Sequence, residues 1–168
     1  MLKIVFLFAA VVIAIAAFAP EFLGRIAASK PPKTEEVAAA VSADHGGTVR
    51  LKADKNGHYS TKIEANNQPL DALVDTGATT VVLRYEDARF LGLVFPGDQF
   101  DVKIRTANGE GRAKRVKLRS VTVGTITVRD VEAIVLEQGL LATNLLGMSF
   151  LKRLARFEVQ RGQLVLEE

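Results

Sequence analysis

Two mirrored faults in an alternating pattern constrain this chain more than any other feature of it. Val116, Leu118, Val121 and Val123 are followed by Ile126, Val128, Val131, Ala133 and Val135, so apolar residues recur at every second position across a Gly124-Thr125 turn. Each run changes parity once, between Leu118 and Val121 and between Val128 and Val131. If Val123 pairs with Ile126, the two changes face each other and both strands exchange faces at one place. A sheet folded over itself or closed into a barrel needs such a bend. The expectation is an all-β domain with one or two short helices.

The flanking segments extend the pattern. Thr48 to Ala53, Gly57 to Ala65 and Gln68 to Val74 read as strands, separated by turns at Asp54-Lys55-Asn56-Gly57 and Asn66-Asn67. Arg84 to Leu91 reads as a short helix closed by Gly92, and Pro96-Gly97 as a turn. Phe100 to Leu118 predicts a hairpin about Asn108-Gly109. That register puts Val102, Ile104 and Ala113 on one face and opposes Arg105 to Arg112 and Lys103 to Lys114, an arrangement of like charges that weakens strand pairing. Residues 148–154 predict a second short helix, and Phe157, Val159, Leu164 and Leu166 alternate around Arg161-Gly162.

Chemistry concentrates in Leu70 to Leu83, where Asp75, Thr76 and Gly77 interrupt two runs of strand-forming residues. Leu73 and Val74 on one side and Val81, Val82 and Leu83 on the other are expected to bury this turn, and a buried carboxylate without a partner is costly. Gly77 admits a close backbone approach, and the Thr76 hydroxyl can satisfy a buried polar group. Some seventy residues later, Asn144-Leu145-Leu146-Gly147 precedes Met148-Ser149-Phe150-Leu151.

Other catalytic inventories fail. The chain has no cysteine, which removes thiol catalysis, disulfides and thiolate metal sites. Its two histidines, His45 and His58, lack metal-ligand spacing and read as loop residues, so neither a metal nor a cofactor is expected. Ser149 lacks the second glycine of a nucleophile elbow and reads as a helix-start residue. Residues 107–111 lack the lysine and serine of a phosphate-binding loop. The net charge of +3, with no tryptophan and no basic-aromatic pattern, argues against a nucleic-acid partner.

Together, Ala72-Leu73-Val74-Asp75-Thr76-Gly77-Ala78 and Asn144-Leu145-Leu146-Gly147 closely resemble the two signature segments of the retroviral-type, or retropepsin-like, aspartic proteases. The resemblance runs from about Thr48 to the C-terminus and is strongest to membrane-anchored bacterial members. It implies a folded β-sheet or barrel protomer acting as a two-fold homodimer on a peptide or protein substrate. Asp75, Thr76 and Gly77 would be catalytic. Ala78, Leu145, Leu146 and Gly147 would lie against substrate, as would Ala107, Asn108 and Gly109 at the tip of a hairpin flap, although that tip is not glycine-rich. One Asp-Thr-Gly supplies one carboxylate, whereas peptide hydrolysis by carboxylates uses two, one ionised to activate water and one protonated to polarise the carbonyl. The second would come from Asp75 of a second copy. Retroviral enzymes usually carry an acid two residues beyond Gly77 and an arginine after the second glycine; here those positions are Thr79 and Met148. Both halves of an ion pair are missing together, and a weaker dimer contact is expected. The alternatives are a proteolytically silent peptide-binding or scaffolding module on the same fold, and an unrelated β-rich envelope protein with a chance motif.

Ahead of this domain, Ile4 to Pro20 is uncharged for seventeen residues, about 26 Å as a helix against a hydrocarbon core of roughly 30 Å. Ala17-Phe18-Ala19 resembles a signal-peptidase site, but Pro20 at the next position blocks cleavage, so residues 1–20 are expected to be a retained transmembrane anchor. Positive residues flank it on both sides and leave its orientation open. The resemblance implies a single-pass protein of the bacterial inner membrane with a periplasmic catalytic domain. Residues 21–46, with Pro31-Pro32 and an alanine-rich run after Thr34-Glu35-Glu36, read as a linker, and residues 47–168 as the protease domain.

Overall fold

The computed structural model describes residues 42–44, 47–106 and 109–168. The expected anchor, most of the expected linker, His45 and the hairpin-tip residues Ala107 and Asn108 lie outside the described residues. Among the described residues no helix is long and apolar enough to cross a membrane.

Eleven strands and two short helices make up the described chain: β1 (Ser42–Asp44), β2 (Thr48–Lys52), β3 (Ser60–Ala65), β4 (Gln68–Val74), β5 (Val81–Leu83), α1 (Tyr85–Phe90), β6 (Val102–Thr106), β7 (Gly109–Val123), β8 (Ile126–Leu136), β9 (Asn144–Leu146), α2 (Met148–Leu151), β10 (Arg156–Gln160) and β11 (Gln163–Glu167). The all-β expectation with two short helices holds. β1 falls inside the stretch read as linker, where its three residues pair antiparallel with Thr48–Arg50 of β2. The ordered sheet therefore begins before residue 47.

β7 organises the larger sheet. One edge carries β8 from Ala113↔Leu136 to Val123↔Ile126. Its other edge carries β6 at the start and β3 at Ala65↔Val121. With the order β3-β4-β9-β5-β8-β7, that last pairing closes the sheet on itself. The expected parity changes sit where the sequence places them: Leu118 faces Val131 and Val121 faces Val128, all buried, while Arg119, Arg129 and Asp130 are exposed. Asp130 adopts φ 53° at this fault. Side chains satisfy the backbone groups it frees. Asn66 Oδ1 accepts from the amides of Arg119 at 2.7 Å and Ser120 at 3.4 Å, and the Arg153 guanidinium donates to the Arg129 carbonyl.

Asn66 and Asn67 both have positive φ, as do Arg161 and Gly162, and each pair forms the two-residue turn its sequence predicts. The smaller sheet, β1-β2-β11-β10, adds Val49, Leu51, Leu164 and Leu166 to the core that also holds Phe150, Ile63 and Leu118. The core is thus shared between the two sheets.

The hairpin register departs from expectation. Thr106 pairs with Gly109, so Lys103 faces Arg112 and Arg105 faces Glu110. Three contacts favour this shift by one position at the tip. It replaces the Arg105–Arg112 opposition with one of opposite charges; it sets Gly111 opposite Ile104, where a side chain at 111 would come within 2.9 Å of Leu140 Cδ1; and Lys114, expected to oppose Lys103, instead donates to Asp98 Oδ2 at 2.6 Å.

The hydrogen bond from Lys114, reinforced by one from the Phe95 amide, holds the Asp98 carboxyl below the usual carboxylate range. A lowered native pKa stabilises the fold above the ordinary value, and that stability is lost as pH falls through the lowered one. Lys114→Met is expected to raise the Asp98 pKa and to weaken the acid dependence of stability at the foot of the hairpin. A carboxyl titration followed by NMR checks it; an Asp98 pKa unmoved by the substitution would contradict this assignment.

Candidate active site

β4 delivers Asp75 and β9 holds it in place. β9 lies parallel to β4, with Ala72 opposite Asn144 and Val74 opposite Leu146, and the Asp75 amide donates to the Leu146 carbonyl at 3.1 Å. Beyond it the chain turns back. The Gly77 amide donates to Asp75 Oδ1 at 2.8 Å, and the Ala78 amide to the Asp75 carbonyl at 3.3 Å. One carboxylate oxygen is therefore oriented by its own loop. Val81, Val82 and Leu83 are buried as expected, but Thr76, Gly77 and Thr79 are exposed and Asp75 is half-buried. The turn is not buried within a single chain, because its flanking strands enter the core while the loop between them projects out of it.

Gly147 fixes the approach of the two motifs. A Cβ there would lie 2.1 Å from the Thr80 carbonyl oxygen and 2.7 Å from that of Ala78, and the Met148 amide donates to the Ala78 carbonyl at 2.8 Å. The second motif thus packs directly on the backbone of the first. Two side chains complete the brace. Ser149 Oγ accepts from the Val81 amide at 2.9 Å and donates to the Glu132 carbonyl at 2.7 Å, tying β5 to β8. It is the second residue of α2, as the expectation of a helix-start residue has it, and it adds a cross-strand role that the expectation did not include. Asn144 is 2% exposed; its Oδ1 accepts from the Arg84 amide, and its Nδ2 donates to the Asp71 carbonyl and to Asp87 Oδ2.

Sequence reasoning assigned Asn144 no role of its own; a polar residue heading an apolar run was the available signal. Asn144→Ala would leave a cavity at this buried position and remove three hydrogen bonds to part-buried partners. We expect a loss of about 2–4 kcal/mol in unfolding free energy, measurable by urea titration. A loss below about 0.5 kcal/mol would show that the network does not brace the site.

Asp75 opens onto a cleft of about 700 Å³. Gly77, Ala78 and Thr80 line it beside the carboxylate. The hairpin contributes Val102 and Ile104, β8 contributes Ile134 and Leu136, and Leu145 comes from β9. Leu140 and Leu141 close one side. Among its lining residues Asp75 is the sole acid, and Arg105 and Arg115 are the cations. The expected substrate residues therefore separate. Ala78 and Leu145 line the cleft, Leu146 is fully buried in the core, and Gly147 packs behind the loop. Gly109 is exposed with φ +116° at the start of β7.

Residues 61–153 match the family model described as "gag-polyprotein putative aspartyl protease". The chain belongs to that family. A retropepsin-like aspartic protease from Rickettsia conorii, known from its crystal structure, is 32% identical and superposes with a TM-score of 0.64, over 71% of this chain and 89% of that one. The fold is retropepsin-like. An uncharacterized Sinorhizobium protein from the cobV 5' region is 38% identical, and an uncharacterized Rickettsia prowazekii protein 33%, each over 71% of this chain. The chain spans 52% and 51% of the lengths of these two relatives.

Proposed function

We propose that this retropepsin-like chain is an aspartic endopeptidase that works as a two-fold homodimer, with Asp75 of each copy forming the catalytic pair. One observation carries the proposal: among the described residues, an apolar cleft large enough for peptide side chains is lined by a single carboxylate, on a loop that one chain leaves projecting and exposed. Two carboxylates brought together share a proton, because like charges at close range resist ionising together. The ionised member then takes a proton from water as it attacks the scissile carbonyl, while the protonated member polarises the carbonyl oxygen. Two-fold symmetry brings the projecting loops together, with Thr76 and Gly77 at the contact. The hairpins of β6 and β7 act as flaps over an extended peptide, their tips at Ala107, Asn108 and Gly109.

The uncharged Ile4 to Pro20 segment supports a membrane-anchored form of the protein, and the resemblance to membrane-anchored bacterial members leads us to put it in the bacterial inner membrane with the protease domain in the periplasm. Tethering two copies to one surface raises their effective concentration. That compensates for the weaker contact expected where Thr79 and Met148 replace an ion pair.

Incubation of the full chain in detergent micelles with an unbiased peptide library tests the activity. Endoproteolytic cleavage is expected from wild type and not from Asp75→Asn. Equal cleavage by the two would sink the assignment.

A further inference from the structure

The cleft is apolar along most of its wall, yet two arginines also line it, and among the described residues neither guanidinium has a partner. Arg115 is on β7, on the same face as Ala113. In register, Ala113 faces Leu136, Arg115 faces Ile134, and Lys117 faces Glu132. Along that face Lys117 lies opposite a glutamate, whereas Arg115 lies opposite an isoleucine at the border of the apolar wall. Arg105 reaches the cleft from near the hairpin tip. It lies opposite Glu110 in register, but among the described residues the side chains of Arg105 and Arg115 make no hydrogen bond or ion pair. Of the other hairpin cations, Lys114 is held by Asp98, and Lys103 and Arg112 face each other and do not line the cleft.

Arginine presents a planar fork of donors matched to a carboxylate, and its charge persists at any working pH. Within the cleft, the one carboxylate belongs to Asp75, which the protease reading commits to chemistry. Resting on that reading, we propose that Arg105 and Arg115 select the substrate: an extended peptide whose apolar side chains fill the cleft and which carries a glutamate or aspartate flanking the scissile bond. In a two-fold dimer each guanidinium occurs twice, once on either side of the bond, so acids are accepted on both the amino and the carboxyl side. Lysine at the same positions is rejected by like charge.

The test is a position-scanned peptide series carrying Glu, Gln or Lys at each site around one cleaved bond, assayed with the full chain in detergent micelles. At one or more positions Glu should exceed Gln in kcat/KM by about threefold to tenfold, the modest factor expected of charges that are solvent-exposed in the single chain, and the ratio should shrink at high salt. Arg105→Gln and Arg115→Gln should each draw the Glu/Gln ratio toward one, and Arg115→Glu should turn the preference toward Lys. Binding of fluorescent Glu and Gln peptides to the Asp75→Asn chain reads the same preference without turnover. Cleavage with no Glu preference, or with a preference that both variants keep, overturns the acidic selection and leaves the protease intact. Failure of wild type to cleave any peptide overturns the protease reading and the selection with it.

Discussion

Replacing Gly147 with alanine is expected to lower the unfolding free energy by about 3–5 kcal/mol, a large share of the roughly 5–15 kcal/mol that holds a typical domain folded. Gly147 has φ −95° and ψ −170°, extended backbone that alanine adopts freely, so the cost is not conformational. It is steric. The new Cβ would sit 2.1 Å from the Thr80 carbonyl oxygen and 2.7 Å from that of Ala78, both backbone atoms of the loop that runs from Asp75 into β5, where no side-chain rotation can relieve the clash. Relief requires β9 to withdraw from the Asp75 loop, which also breaks the bonds from Asp75 to Leu146 and from Met148 to Ala78. Gly77→Ala provides the contrast. There the nearest atom to a new Cβ is Asp75 Oδ1 at 3.1 Å, a side-chain oxygen that can turn by a few tenths of an ångström. That variant should stay folded and lose activity, because the displaced atom is the one held by the Gly77 amide. Denaturant unfolding of both proteins separates the two effects. A Gly147→Ala protein within about 1 kcal/mol of wild type would contradict the close packing of the two motifs.

What the sequence revealed of this fold was whatever local chemistry decides. Asn66-Asn67 and Arg161-Gly162 form the turns they spell, since residues tolerant of positive φ are scarce elsewhere in strands. The paired parity changes around Arg119 and Asp130 were legible because burial on one face records where a strand bends. The hairpin tip was misread for the complementary reason. Asn108-Gly109 is a strong turn dipeptide, but the register follows from β7, which is simultaneously committed to β8, to β3 and, through Lys114, to Asp98.

β5 was legible as the strand-forming run beyond the Asp75 turn, but β9 escaped detection because it is three residues long, too short to show a period, and has a parallel partner remote in sequence. β1 was hidden in an alanine-rich stretch with no alternation. At the site, Asp75 was found from its motif, and Leu145 and Leu146 as a pair. Which of the two faces substrate was not legible, because adjacent residues in a strand point to opposite sides and β9 had not been recognised as one. Arg105 was read only as one of a pair of opposed like charges and Arg115 not at all, because the neighbours of Arg115 depend on the register that sets it beside Ile134.

The claim that matters most is that Asp75 is shared between two copies of the chain. Asp75→Asn, provided it still folds and dimerises, should poison wild type. A mixed dimer retains one carboxylate beside an amide that cannot share its proton, and loses most of its rate. With random pairing, an equal mixture leaves about a quarter of the dimers fully wild type, so activity should fall to about a quarter of that of the undiluted wild-type protein. Independent monomers would retain half. The measurement is peptide cleavage across a series of mixing ratios at constant total chain, after equilibration long enough for exchange and with dimerisation of the variant verified by sedimentation. Activity falling as the square of the wild-type fraction is the predicted result; activity falling in simple proportion to that fraction would contradict a shared Asp75.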